Sequence, residues 1–286
     1  MTIYGTPSAS GDNVVLVAHA LTGTSAVAEW WPGIIAPGGL FDTRTWCVIG
    51  LDLICHPERS RGTTPMSCVV REQLRQLDEL GIARAHAVIG GSLGGMQALQ
   101  WALDAPQRID RAIVIGASDH HTAMGIALNH VQREAIALDP VRGLALARQI
   151  AMLTYKSDDL FAERHDRNAD SRGKAGFDVE GYLDHQGRKL VARMDPQTYV
   201  ARTRLMDSFD VRGREVPAGV DLTFVGISSD WLFRPQEIRA AAARLGARYL
   251  ELESNHGHDA FLAEPAKLHA LLAPIIATPA GLSSRT

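Results

Sequence analysis

The chain has 286 residues, enough for one large domain or for one domain carrying a substantial insertion. Hydrophobic residues make up 46% and charged residues 21%, and a net charge of -3 with no run of Lys and Arg argues against nucleic-acid binding. Cys47, Cys55 and Cys68 match no metal spacing, no basic segment leads into an apolar one at the N-terminus, and no apolar run approaches the roughly 20 residues of a bilayer span; together these predict a cytoplasmic protein with free thiols, no metal and no membrane segment.

Residues 14–18 form an unbroken, β-branched apolar run that ends in His19-Ala20-Leu21-Thr22-Gly23, the pattern of a strand buried on both faces with a loop at its tip. Residues 46–51 repeat it. A helix is expected over 68–80, with Gly81 as its stop. A short buried strand follows at 86–89, a helix at 94–103 begins almost without a connection, and another strand covers 111–115. Alternation of this kind predicts βαβ units and a mostly parallel sheet with helices on both faces.

Between 119 and 210 strand patterns vanish. Helices are expected at 124–138, 143–156, 179–194 and 196–207, with a polar loop at 166–176. Alternation returns with a strand at 222–227, a helix at 238–245, a strand at 249–252 and a closing helix at 266–275; the tail after Pro279 reads as frayed. The expected division is a core of 1–118 and 211–286 interrupted by a helical insertion, 119–210.

Gly90-Gly91-Ser92-Leu93-Gly94 fits G-x-S-x-G between a strand and a helix. The bend is so tight that Ser92 must take a strained backbone and side chains at the flanking glycines would collide. The next helix points its N-terminal amides at the same spot, so the N–H of Leu93 is an oxyanion donor. This is the nucleophile turn of the α/β-hydrolase fold, in which acid and base follow the serine in the chain. Asp230 ends one later strand and the pair His256-Gly257-His258 follows the next, so acid and base candidates fall at C-terminal strand tips on the edge that carries Ser92. Spacing alone leaves His256 and His258 as rivals for the base. A second oxyanion N–H should come from the loop after the first strand, with Leu21 the candidate and His19 a structural residue.

On the helix at 143–156, Leu146, Ile150 and Leu153 share one face and are expected to pack on neighbours. Arg148, Met152 and Tyr155 share the opposite face. A guanidinium beside Met and Tyr wants an anion: a substrate carboxylate, or a salt bridge within the insertion or at a dimer contact.

Several long motifs resemble the homoserine O-acetyltransferase family: His19-Ala20-Leu21-Thr22-Gly23, the stretch Gly90 to Ala98, Ala147 to Tyr155, Tyr182-Leu183-Asp184-His185-Gln186-Gly187, Gly226 to Asp230 and His256 to Leu262. The resemblance implies an α/β-hydrolase fold with a helical lid. Ser92 would accept an acyl group from acetyl-CoA as co-substrate, with no bound cofactor, and pass it to L-homoserine for methionine synthesis. Asp230 and His258 would complete the triad. Arg148 and Tyr155 would hold the acceptor carboxylate and Asp259 its amino group, in a homodimer paired through the insertion. Succinyl-CoA as donor, L-serine as acceptor, an esterase and an inactive shortened homologue are the alternatives. Three departures from the family pattern stand out. Its first strands, which precede the region matching Tyr4, are expected to be missing, through a misassigned start or a reduced variant. A short segment, Cys55 to Gly62, replaces a Gly-rich stretch and a long loop. Asp119-His120-His121 replaces an Ala-Arg-His type run.

Overall fold

The computed structural model describes residues 1–53, 65–165, 167 and 176–276. The short segment after Leu53, most of the loop expected at 166–176, Cys55 and the tail after Pro279 lie outside the described residues.

Seven strands form one sheet: β1 (Thr2–Tyr4), β2 (Val14–Ala18), β3 (Cys47–Leu51), β4 (Ala85–Gly91), β5 (Ile109–Ile115), β6 (Asp221–Ile227) and β7 (Arg248–Leu252). Their order is β1-β3-β2-β4-β5-β6-β7; β1 runs antiparallel to β3 and every other pair is parallel. This is the α/β-hydrolase arrangement. The three-residue β1 forms one edge of the described sheet. Its length is below what a period-2 pattern can signal, so it is absent from the sequence expectation.

Strands β2, β3 and β4 are buried at every position, which explains their continuous apolar runs: neither face meets water. On one face lie α2 (Met66–Glu79), α3 (Leu93–Asp104) and α9 (Pro235–Arg244), packed on Leu16, Ile49, Val88 and Phe224. On the other, α1 (Val27–Trp30), α10 (Ala260–Ala263) and α11 (Pro265–Leu272) cover Val15, Val17, Ile89 and Val225 around Trp31 and Phe261. Alternate residues of one strand thus feed two separate cores.

Between β5 and β6 the chain leaves the sheet, and the described residues of this excursion form five helices: α4 (Ala123–Leu138), α5 (Pro140–Tyr155), α6 (Asp158–Arg164), α7 (Asp178–Val191) and α8 (Pro196–Asp207). The stems of this excursion pair with each other through a bridge of His120 with Asp210 and backbone bonds from His121 to Phe209 and from Val211 to Asp119. Helix α6 went unread although Ser157 caps it, accepting from Leu160 N–H, and Asp158 and Asp159 follow in its first turn.

Helix α5 departs from the sequence expectation on its Leu146 and Leu153 face, which the periodicity places against neighbours. Leu146 and Leu153 are each 49% exposed, while Met152 is buried and Arg148 and Tyr155 face inward beside it. Small residues decide the packing. Gly143 lies against the end of α4, where a Cβ would stand 2.0 Å from the Ala135 carbonyl oxygen, and Gly187 of α7 touches Ala145. Leucine periodicity cannot register that kind of backbone contact.

Candidate active site

Strand β4 runs into Gly91, Ser92 follows, and α3 starts at Leu93. Ser92 has φ 58° and ψ -122°, the one non-glycine with positive φ among the described residues. Such a conformation costs about 1–3 kcal/mol and persists only where its surroundings enforce it. The surroundings do so. A Cβ on Gly90 would stand 2.3 Å from the Gly94 carbonyl, one on Gly94 2.1 Å from Ala18 O, and one on Gly91 2.5 Å from the Phe261 ring. Ser92 N–H donates to Ile115 O at 2.8 Å, tying the bend to the tip of β5. The Ser92 side chain lines a cavity with Leu21, Tyr155, Met206 and Leu232.

Asp230 and His258, 28 residues apart in sequence, meet after β6 and β7. The His258 Nδ1–H donates to Asp230 Oδ2 at 2.6 Å, and both side chains are buried. The other Asp230 oxygen accepts the backbone N–H groups of Leu232 (2.9 Å) and Phe233 (3.0 Å), so the carboxylate is fixed from both sides. Burial alone pulls the His258 pKa down, but the charge and hydrogen bond of Asp230 outweigh it, and the imidazole sits above its ordinary value of 6.5. Its Nε2 is buried without a hydrogen-bond partner. The ring packs against Gly116, immediately after β5, and lies between Phe233, at 5.3 Å, and Tyr155, at 5.4 Å. His256 is only partly buried, its backbone N–H bonds to Ser254 Oγ, and the histidine bonded to Asp230 is His258. Geometry therefore favours His258 over its rival.

Leu21 is buried in the loop after β2 and shares the cavity with Ser92; Leu93 N–H opens α3 beside it. His19 supports that loop. Its Nδ1 donates to Ala20 O at 2.8 Å, and burial, reinforced by the charge of Arg202, lowers its pKa to about 4, so the ring is neutral.

Along α5, the Arg148 guanidinium stands 5.6 Å from the centroid of the Tyr155 ring. Burial pushes the Tyr155 hydroxyl up to about 12, which keeps it a neutral donor. Asp259, next to His258, pairs with Lys156 Nζ at 2.9 Å. Lys156 escaped the sequence reading.

A polar cluster within the helical excursion also went unread. His121 Nδ1 bonds to Asp207 Oδ1 at 3.0 Å, Asn129 Nδ2 donates to the same oxygen at 2.8 Å, and Arg133 pairs with the other at 2.7 Å. Burial opposes ionisation of Asp207, but these three partners hold its pKa below the usual value. His121 stacks on the Phe233 ring that also stacks on His258. Asp207 lies 86 residues from His121, too far for any local pattern to join them. Among the described residues no group of three His, Cys, Asp or Glu side chains is placed to hold a metal, and no helix is long and apolar enough to cross a membrane. Cys47 and Cys68 are free thiols.

Residues 13–265 match the model of the alpha/beta hydrolase fold family. Homoserine O-acetyltransferase of Deinococcus radiodurans is 42% identical over 93% of this chain and 82% of its own length. Homoserine O-succinyltransferase of Aromatoleum aromaticum is 36% identical over 94% of this chain and 88% of its own. Among solved structures, homoserine O-acetyltransferase from Bacillus anthracis superposes with a TM-score of 0.84 at 21% identity, covering 97% of this chain and 92% of that one.

Proposed function

Because the chain belongs to the homoserine O-acyltransferase family of the α/β-hydrolase fold, we propose that it transfers an acetyl group from acetyl-CoA to the hydroxyl of L-homoserine through an ester on Ser92. His258 Nε2 takes the Ser92 proton as Oγ attacks the thioester carbon. The C–S bond breaks, and the same proton leaves with the CoA thiolate. His258 then takes the homoserine hydroxyl proton as that oxygen attacks the acyl-serine, and returns it to Ser92. The N–H groups of Leu21 and Leu93 receive the oxyanion in both halves. Arg148 and Tyr155 hold the acceptor carboxylate, and Asp259 its ammonium, displacing Lys156. The lid, residues 119–210, walls the cavity from water, so that transfer outruns hydrolysis.

The observation that carries this reading is the set of groups around His258: Arg148 against Tyr155, and Asp259, whose carboxylate pairs with Lys156 Nζ at 2.9 Å. Acetyl is favoured over succinyl in this reading because, among the described residues, no Lys or Arg lines the cavity at Ser92 to receive a second carboxylate.

The same reading includes a cytoplasmic homodimer. Most of the large apolar side chains left exposed among the described residues lie on α4 and α5, including Met124, Val131, Leu138 (89% exposed), Val141, Leu146 and Leu153. A second copy would cover such a face.

The test is thiol release from acetyl-CoA or succinyl-CoA, with and without homoserine or serine. The expected result is release that needs homoserine, prefers acetyl-CoA and vanishes in Ser92→Ala. Equal release without an amino acid would assign a hydrolase instead, and none from the folded protein would assign an inactive homologue.

A further inference from the structure

Every carbonyl of the loop that carries Leu21 is held by a donor. Ala20 O accepts from His19 Nδ1 at 2.8 Å and from Gly23 N–H at 3.0 Å. His19 O accepts from Gln97 Nε2 at 3.2 Å. The next three carbonyls are taken by two arginines of the helical excursion. Arg202, on α8, donates from Nη1 to Leu21 O at 2.7 Å and to Gly23 O at 3.0 Å. Arg193, just past α7, donates from Nη1 to Thr22 O at 2.6 Å, with Nη2 3.4 Å from Thr22 Oγ1. These two side chains reach 171 to 181 residues back along the chain.

A trans peptide is planar, with C=O and N–H pointing in opposite directions. Fixing the carbonyl of one residue therefore aims the N–H of the next. The bonds to Ala20 O set the Leu21 N–H, and the Arg202 bond to Leu21 O sets the Thr22 N–H that follows it. A loop anchored only at Ala20 could still pivot about its other end. A donor misplaced by a fraction of an ångström loses much of its preference for the oxyanion over the ground-state carbonyl.

We propose that Arg202 and Arg193 are positioning residues: they lock the oxyanion loop from the lid side, so that the donors at Ser92 are in place only when the lid is docked. This rests on the reading of Ser92 as nucleophile. Neither arginine needs to touch substrate. A planar guanidinium suits the task, since one nitrogen can serve two carbonyls at fixed angles, whereas a lysine ammonium is a flexible point donor. The arrangement also links acyl transfer to the lid: the helices that bear the acceptor-binding residues belong to the excursion that steadies the oxyanion donors.

The experiment uses the full chain and an activated ester, 4-nitrophenyl acetate, which acylates a reactive serine without CoA or acceptor. Arg202→Met, Arg202→Lys and Arg193→Met are compared with wild type and with Arg188→Met, an exposed charge-loss control on α7. The expected result is a drop of about tenfold to a hundredfold in the acylation rate of Arg202→Met, partial recovery in Arg202→Lys and a homoserine KM within about twofold of wild type in the transfer assay. A kcat loss without a KM change separates positioning from a general loosening of the lid, which would move both. Wild-type acylation rates in Arg202→Met and Arg193→Met would overturn the proposal while leaving the nucleophile intact. Should Arg202→Met fail to fold, Arg193→Met, altered at an exposed turn, decides alone. A wild-type protein whose reaction with the ester survives Ser92→Ala would overturn the nucleophile reading, and this proposal with it.

Discussion

Replacing Asp230 with Asn tests the acid–base pair with almost no change in shape. One Asp230 oxygen accepts two backbone N–H groups, from Leu232 and Phe233, and the other accepts His258 Nδ1–H at 2.6 Å. An asparagine must keep its carbonyl oxygen on the two backbone donors, because turning it would bury two unpaired N–H groups at about 1–3 kcal/mol each. Its NH2 then faces Nδ1 and forces that nitrogen to accept. The ring proton moves to Nε2, the atom that must take the Ser92 proton, and the base is lost. The expected fall in kcat is about 10⁴-fold, about 5.5 kcal/mol of barrier. The pH profile should move too. In the wild type, activity should rise as neutral His258 forms, with a midpoint above 6.5 because Asp230 raises that pKa against the pull of burial. In Asp230→Asn burial is opposed only by the charge of Asp259, the smallest of the influences, so the residual activity should rise at lower pH. The assay is thiol release from acetyl-CoA over pH 5 to 9, with circular dichroism to confirm the fold. A folded Asp230→Asn protein within about threefold of wild-type kcat would refute the reasoning.

Other outcomes follow from the same geometry. Gly94→Ala places a methyl 2.1 Å from Ala18 O, a backbone atom of β2 that cannot retreat, so soluble folded protein should be lost or its melting temperature lowered sharply. Arg148→Met keeps the bulk beside Tyr155 but removes the cation; the homoserine KM should rise about tenfold or more, with acylation by 4-nitrophenyl acetate unchanged. An unchanged KM would return Arg148 to a structural role. Leu146→Asp with Leu153→Asp puts charge on the exposed face of α5, and sedimentation should show monomer where the wild type shows dimer, without loss of melting cooperativity.

The sheet was legible because parallel strands buried on both faces read as unbroken apolar runs, and the bend at Ser92 because only glycine tolerates the contacts at Gly90, Gly91 and Gly94. Each of these is a local constraint that local sequence must obey. The exposure of Leu146 and Leu153 on α5 was not legible: they read as a packing face, and the fit of Gly143 and Gly187 against other backbones leaves no periodic signal. Nor were the contacts of Lys156 with Asp259, His121 with Asp207, or Arg202 with the loop after β2, each spanning many residues in sequence. The first and third form where the helical excursion meets the core and the second within the excursion itself, and periodicity within one element holds no information about any of them. His256 and His258 show the boundary well: two histidines at one strand tip look alike in sequence, and only their depth beside Asp230 tells them apart.

The most direct measurement is intact-protein mass spectrometry after mixing with acetyl-CoA in the absence of acceptor, followed by peptide mapping. The account predicts one added acetyl group, carried by the peptide containing Ser92, absent from Ser92→Ala and discharged when homoserine is added. An acetyl group on another residue, or turnover to acetylhomoserine with Ser92 replaced by Ala, would contradict it.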